Sequence, residues 1–466
     1  MGVTGCGIVY FLQFSVLPML LLYSGWYSSS LVSAAPLDLS GLKHWTRERS
    51  VEQFWHVSDL HLDSTYHVTD DHTKVCASSK GLNASNPGIY GDFMCDSPYQ
   101  LILSAFNHMK NSQEKVSFMI WTGDSPPHVP VKELSTDLVI NIIGNMTSTI
   151  LNNFPDIKVF PALGNHDYWP QDQLPMSANE IYSAVAQFWK PWLTEEAIST
   201  LKKGGFYSQI YKSNATQQQL RIISLNTNLY YSPNEATVNV SDPANQLEWL
   251  EDTLESSFQK KEKVYVIAHV PVGYLPFVRD TTAMRTYYNE RLVMILRKYS
   301  QIIAGQFYGH THRDSLMVLL DGKGRPVNSL FVAPAVTPIK GLAELDSNNP
   351  GVRLYQYDPN DYSIQDLWQY FLNLTDANMK KKPDWKLEYI MTDAYSIQDL
   401  QPGTLHSLVQ QFKESQSKQF QNYYKHFRVS YDSSFVCEGY CKIDHLCAIQ
   451  CLDEASYKDC IASGIL

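Results

Sequence analysis

Positive charge is scarce in this chain and is missing altogether from its start. The 466 residues carry 37 Lys and Arg against 47 Asp and Glu, a formal charge of −10, and no basic stripe appears. That balance argues against a nucleic acid duplex as the main partner. It also gives a phosphate substrate no general attraction, so any such attraction must be local. Internal repeats and low-complexity tracts are absent too. With 44% hydrophobic and 18% charged residues, disorder is not the default. The length allows roughly two to three domains.

The first 42 residues contain no Lys or Arg. The apolar run Ile8 to Tyr23, broken by Gln13, Ser15 and Pro18, is shorter than the roughly 20 residues a membrane-spanning helix needs. Small residues follow at Val32-Ser33-Ala34-Ala35. Residues 1–34 therefore read as a secretory signal peptide cut near Ala34, although the basic n-region is missing. Cys6 stands where a myristoylation signal has Ser or Thr. Lys458 to Leu466 offers no polar spacer and hydrophobic tail, so no GPI anchor is expected. The expectation is a secreted/extracellular or lysosomal protein with no stable membrane anchor, and a monomer by default.

Asn-x-Ser/Thr sequons at Asn83, Asn145, Asn214, Asn239 and Asn373 suggest glycosylation in that compartment. Of eight cysteines, Cys6 goes with the signal peptide. Cys76 and Cys95 stand apart as a pair, while Cys437, Cys441, Cys447, Cys451 and Cys460 form a cluster. An oxidising compartment favours disulfides, and an odd number leaves one thiol free. A zinc knuckle is the competing reading of the cluster, but His445 sits badly for a four-ligand set.

Strand-length apolar runs at Phe54–Val57, Phe118–Trp121, Val159–Leu163, Val264–Ala268 and Ile302–Tyr308 alternate with helical spacing at Leu101–Met109, Thr136–Asn153, Leu247–Leu254 and Arg285–Lys298. Asp242-Pro243 looks like an N-cap followed by the first helical residue. Two strand-like runs lie between Phe206 and Leu225. Further runs at Leu316–Leu320, Ser329–Val332, Val352–Tyr357 and Ile364–Leu372 complete the core. Lys380-Lys381-Lys382-Pro383 resembles a linker, and Leu405 to Tyr424 reads as helical. Strand–loop–helix repetition indicates an α/β protein, in which ligands gather beyond the carboxyl ends of the strands.

Five of these strands end in polar stretches: Asp59-Leu60-His61, Gly123-Asp124, Gly164-Asn165-His166-Asp167, His269 and Gly309-His310-Thr311-His312. A lone Asp-x-His or His-x-His is more often loop than ligand. Two carboxylates, four imidazoles and a carboxamide, each at a strand end, make the mixed N/O set that two divalent metals need. In residues and in order this set resembles the calcineurin-like metallophosphoesterases, over Phe54 to His312. Asp124-Ser125-Pro126-Pro127-His128 and the C-terminal cysteine cluster make the chain similar to their acid sphingomyelinase-like phosphodiesterase family, nearest the unanchored secreted type.

The resemblance implies a four-layer α/β/β/α sandwich over 35–375 and a small helical, disulfide-stapled subdomain over 376–466. It implies two Zn2+ per chain, one held by Asp59, His61 and His312, the other by Asn165, His269 and His310, with Asp124 bridging. His166 would protonate the leaving group, Asp167 would orient His166, and His128 would bind a phosphoryl oxygen. The implied bridges are Cys76–Cys95, Cys437–Cys441 and Cys447–Cys460, with Cys451 free. Pro127 stands where purple acid phosphatases have the tyrosine of their redox iron, which disfavours that chemistry.

Acid sphingomyelinase itself has a saposin domain ahead of its catalytic domain. Here only about 25 residues separate Ala34 from Asp59. The expectation is hydrolysis of soluble nucleotides and nucleotide conjugates, of the nucleoside triphosphate and cytidine-diphosphate-choline type, fastest at mildly acidic pH with His166 and His128 protonated. A sphingomyelin phosphodiesterase and a binding scaffold on an inactive fold are the alternatives.

Overall fold

Side-chain alternation along the strands sets the layering. The computed structural model describes residues 51–464 apart from 113, 214 and 341–346, so the 1–34 signal-peptide reading and Asn214 lie outside the described residues. In chain order the described strands are β1 (Glu52–Val57), β2 (Val116–Trp121), β3 (Lys158–Pro161), β4 (Tyr207–Tyr211), β5 (Leu220–Ser224) and β6 (Lys263–Ile267). They continue with β7 (Ile303–Tyr308), β8 (Ser315–Leu320), β9 (Pro326–Val332), β10 (Gly351–Tyr357), β11 (Ile364–Leu372) and β12 (Trp385–Ile390). One sheet runs β12-β11-β10-β1-β2-β3 and the other β4-β5-β6-β7-β9-β8.

Phe54, Phe118, Phe160, Tyr265, Phe307 and Tyr355 point between the sheets. Phe54 stacks on Phe118 at 4.7 Å and on Tyr355 at 5.0 Å, and meets Phe307 edge-on at 5.3 Å. Each such pair contributes about 0.5–1.5 kcal/mol beyond its buried area. Their strand neighbours Trp55, Met119 and Trp121 belong instead to the core shared with the outer helices. Tyr99–Asn111 is tied to the first sheet where Trp385 Nε1 donates to Ser104 Oγ at 3.0 Å. Four layers result, with a metallophosphoesterase arrangement of mixed sheets.

The helix Thr136–Asn153 starts where Ser135 Oγ accepts from Leu138 N at 3.2 Å, a cap worth about 1 kcal/mol. Several elements depart from the sequence reading. Pro243 begins a short turn, not the long helix, because Ala244 and Asn245 take left-handed φ of 58° and 53°. The helix proper is Gln246–Gln259, and Asp242 still caps it, accepting from Leu247 N and Glu248 N at 2.9 and 3.0 Å. Leu405 to Tyr424 holds two helices, Pro402–Phe412 and Lys418–Phe427, separated where Ser417 caps the second. The lysine run opens no linker: Lys381, at φ 49°, ends the helix Leu374–Lys380, and β12 then pairs with β11 at the sheet edge. Glu180–Phe188 and Glu195–Gly204 are helices with no counterpart in the sequence reading.

The disulfides are Cys76–Cys95, Cys437–Cys441 and Cys447–Cys460, and Cys451 is free. Cys437 and Cys441 are thus consumed, and His445 is buried against Phe420, Tyr423 and Phe427. The last helices, Tyr440–Gln450 and Glu454–Ser463, are joined by the third bridge.

Candidate metal centre

Parallel pairing brings the polar stretches together. β1, β2 and β3 run parallel in one sheet, and β5, β6 and β7 in the other. Their carboxyl ends therefore open at one end of the sandwich. There the backbone turns sharply. Asp59, His61, Asp124, His310 and His312 all have positive φ, at 53°, 39°, 59°, 73° and 61°. Asp and His tolerate this region better than most residues, yet each such position costs of order 1–3 kcal/mol. Cross-loop bonds hold it: Asp59 N donates to Gly123 O and His61 N to Asp124 O, both at 3.0 Å.

The glycines of the motifs make room. A Cβ on Gly164 would lie 1.9 Å from Asp124 Oδ1, and one on Gly309 would lie 2.0 Å from Ser58 Oγ.

All seven expected ligands meet. His61 Nε2 lies 3.4 Å from Asp124 Oδ2, 3.2 Å from His312 Nε2 and 3.7 Å from Asp59 Oδ1, and His312 Nε2 lies 3.5 Å from Asp59 Oδ1. Beside them Asn165 Oδ1 lies 3.0 Å from both His269 Nε2 and His310 Nδ1, and His269 Nε2 lies 3.1 Å from Asp124 Oδ2. Donors about 2.1 Å from a common tetrahedral ion stand roughly 3.4 Å apart, so both sets fit a divalent metal, and Asp124 Oδ2 belongs to both.

The surroundings aim these atoms. His61 Nδ1 donates to Pro126 O and His269 Nδ1 to Thr122 O, each at 2.7 Å, which leaves Nε2 free for a cation. Asn165 Nδ2 donates to Asp172 Oδ1 at 2.7 Å, turning its oxygen inward. Behind Asp59 runs a buried chain: Ser58 Oγ donates to its carboxylate, Thr122 Oγ1 donates to Ser58 at 2.7 Å, and His56 Nε2 lies 3.0 Å from Thr122 Oγ1.

Beyond the ligands, the rings of His166 and His128 are 4.2 Å apart, and His166 is 4.9 Å from His61. Asp167 does not orient His166. Its carboxylate accepts from the backbone N–H of Asp124, Ser125 and Gly164 at 2.8–2.9 Å, fastening the β2 and β3 loops together. His166 Nδ1 is buried without a partner, and Gln171 Nε2 is 3.2 Å from Nε2. His128 is oriented by a carboxylate the sequence reading missed. Asp96 accepts from His128 N at 2.6 Å, lies 3.1 Å from Nδ1, and also accepts from Thr337 Oγ1 at 2.9 Å.

Burial penalises charge throughout, yet Asp59 and Asp124 stay ionised, whereas burial and the neighbouring Asp124 push Asp167 up to about 6. Against that burial, His269 holds Asp59 and Asp124 well below the usual carboxylate range. Against the same penalty, the Asp59 hydrogen bond and the charges of Asp124 and Asp96 push His61 up to about 10, and Asp124 pushes His269 up to about 9. Burial, helped by the protonated neighbours His269 and His61, drops His310 and His312 to about 3. A cation taking these lone pairs competes with protons for them, so binding one releases protons. Burial, reinforced by His128, also pushes His166 well below its ordinary value.

The centre floors a cleft of about 350 Å³, walled by Tyr231, Leu275, Phe277 and Ile339 among others. The sequon residues Asn83, Asn145, Asn239 and Asn373 are exposed. No helix among the described residues is long and apolar enough to cross a membrane.

Residues 53–314 match the Calcineurin-like phosphoesterase family, and residues 325–466 match the Acid sphingomyelin phosphodiesterase C-terminal region. Human cyclic GMP-AMP phosphodiesterase SMPDL3A is 67% identical over 412 residues, 88% of this chain and 90% of that protein. The chain belongs to the acid sphingomyelinase-like phosphodiesterases of the calcineurin-like superfamily. Mouse acid sphingomyelinase-like phosphodiesterase 3b is 40% identical over 94% of this chain and 93% of its own length. Sphingomyelinase phosphodiesterase C of Dictyostelium discoideum is 35% identical over 88% and 92%. This acid sphingomyelinase-like chain is therefore a phosphodiesterase with a divalent metal centre and a small-molecule phosphodiester substrate.

Proposed function

We propose that the chain is a secretory-pathway phosphodiesterase with two zinc ions, hydrolysing soluble nucleotides and nucleotide conjugates. The observation that carries this is Asp124 Oδ2, which stands within 3.4 Å of His61 Nε2 and 3.1 Å of His269 Nε2 and so links two donor sets. Asp59, His61 and His312 serve one ion, Asn165, His269 and His310 the other. When bound, such a pair activates water and neutralises the phosphoryl oxygens. Two dications against Asp59 and Asp124 leave the pocket cationic inside an acidic protein, which supplies the local attraction for phosphate.

The chain's own residues then divide the work. His128, its Nδ1 held by Asp96, offers Nε2 to a phosphoryl oxygen. His166 delivers a proton to the leaving oxygen through Nε2, since Nδ1 is sealed in protein. Asp167 keeps the loops carrying Asp124 and Asn165 in register. The 67% identical human relative is named for cyclic GMP-AMP, itself a nucleotide phosphodiester, which supports the nucleotide class. Three disulfides and exposed sequons support secretion or the lysosome.

Sphingomyelin is the second reading, favoured by Phe277 and Val278, 43% and 44% exposed beside the cleft. The deciding experiment sets ATP, CTP, cytidine-diphosphate-choline, a cyclic dinucleotide and detergent-free sphingomyelin bilayers side by side, with metal content measured. Turnover of the nucleotides with two zinc ions per chain is expected. Bilayer sphingomyelin hydrolysed faster than every nucleotide would overturn the proposal.

A further inference from the structure

A disulfide-closed loop and a distant segment bonded to it bring two lysines to the cleft. Cys76–Cys95 closes the loop, and Lys80 lies within it at a left-handed φ of 53°, its N–H bonded to Ala77 O at 3.0 Å. Lys340 is distant in sequence, yet its N–H donates to Phe93 O of the same loop at 3.1 Å. Both lysines line the cleft that also holds Asp124, Asn165, His128 and His166. Among the described residues no carboxylate pairs with either lysine, and Asp124 is the one carboxylate in the described lining. Arg313, the third cation there, is 5% exposed and donates to Ser347 O at 2.6 Å, so it is engaged within the protein. In a chain of formal charge −10 this wall is locally cationic.

We infer that Lys80 and Lys340 take a second anionic group of the substrate, a phosphate beyond the one being cleaved. Polyphosphorylated nucleotides and dinucleotides are therefore preferred to singly charged diesters. The inference rests on the phosphodiester reading of the metal centre and adds what selects among its substrates. Lysine is well suited to such a role, because a point charge with three donors on a flexible stem can follow phosphate chains of different length. Because Lys80 is exposed and Lys340 half-buried, the preference is modest and is screened by salt.

The test compares the metal-loaded wild type with Lys80→Met, Lys340→Met and the double variant on ATP and on bis(p-nitrophenyl) phosphate. The double variant is expected to lose about tenfold in kcat/KM for ATP, chiefly through KM, as two screened charge contacts would give. Its metal content and its rate on bis(p-nitrophenyl) phosphate should stay unchanged, Lys→Arg at both positions should restore ATP, and high salt should erase the wild-type preference. Equal losses on both substrates, or no loss on ATP, would overturn the subsite and leave the metal centre standing. A wild type that cleaves bis(p-nitrophenyl) phosphate but no nucleotide would instead sink the nucleotide reading, and the subsite with it.

Discussion

The protein buries two clusters of charge, and they differ in how they are closed. At the metal centre, Asp59 and Asp124 face the imidazoles of His61, His269 and His312 across gaps of 3.1–3.9 Å, and His310 Nδ1 lies 3.0 Å from Asn165 Oδ1, beside an open cleft. Against the C-terminal helices, Asp314 meets Arg353 at 2.6 Å and accepts from Tyr389 OH at 2.6 Å, while Arg353 also donates to Gln369 and to Val332 O. The second cluster is satisfied by its own partners and ties β10 and β12 to the residue that leads into β8. The first has lone-pair donors converging on one another, and it stands on strained backbone. Buried charge that is fully paired is architecture, whereas buried donors that converge on a common point are a site.

Removing the shared carboxylate should break the contrast most severely. Asp124→Ala is expected to cut turnover roughly a thousandfold or more and to lower bound metal, read by metal analysis and initial rates. Retention of both ions would contradict the bridging role. His166→Ala should lose about 10²–10⁴-fold in kcat with metal content intact, and an active variant would remove His166 from the mechanism.

At the other cluster, Asp314→Ala leaves Arg353 buried and unpaired and is expected to cost about 3–5 kcal/mol of stability. Denaturant melts read it, and a neutral result would show that the pair holds nothing. Asp96→Asn should reduce turnover by about 10–100-fold, as loss of a carboxylate behind a working imidazole does. Metal loss in that variant would instead tie Asp96 to the donors.

The smallest effect is one of pH. His61 rises in the metal-free fold from 6.5 to about 10, so the stability it contributes is complete below pH 6.5 and is lost as pH climbs toward about 10. Added zinc should accordingly raise the melting temperature more at pH 8 than at pH 6. Meanwhile the lowered His166 gains its proton only as pH falls, so the rate limb that depends on it should lie on the acidic side. A zinc shift independent of pH would deny that protons occupy the ligand positions.

That the seven expected donors converge was legible because each closes an apolar run of strand length, and the order of the five stretches carried the rest. What could not be read were partners chosen by tertiary folding. Asp96 reaches His128 across 32 residues, with no spacing rule to announce it. Asp172 supports Asn165 only because the loop folds back. Asp167 was misassigned because adjacency to His166 in sequence says nothing of where the carboxylate turns. The helices Glu180–Phe188 and Glu195–Gly204 did leave signals, the caps Asn179 and Thr194 and the left-handed Gly205. Strand β12 alternates Trp385, Leu387 and Tyr389, but the lysine run before it read as a break.

The β1–β3 sheet provides Asp59, His61 and Asn165, and the β5–β7 sheet provides His269, His310 and His312. Each proposed trio of ligands draws on both, so neither half of the sandwich could grip an ion alone. A metal held in the proposed way would be a clasp across the seam. Cleavage of a phosphodiester then certifies that both halves have folded and met.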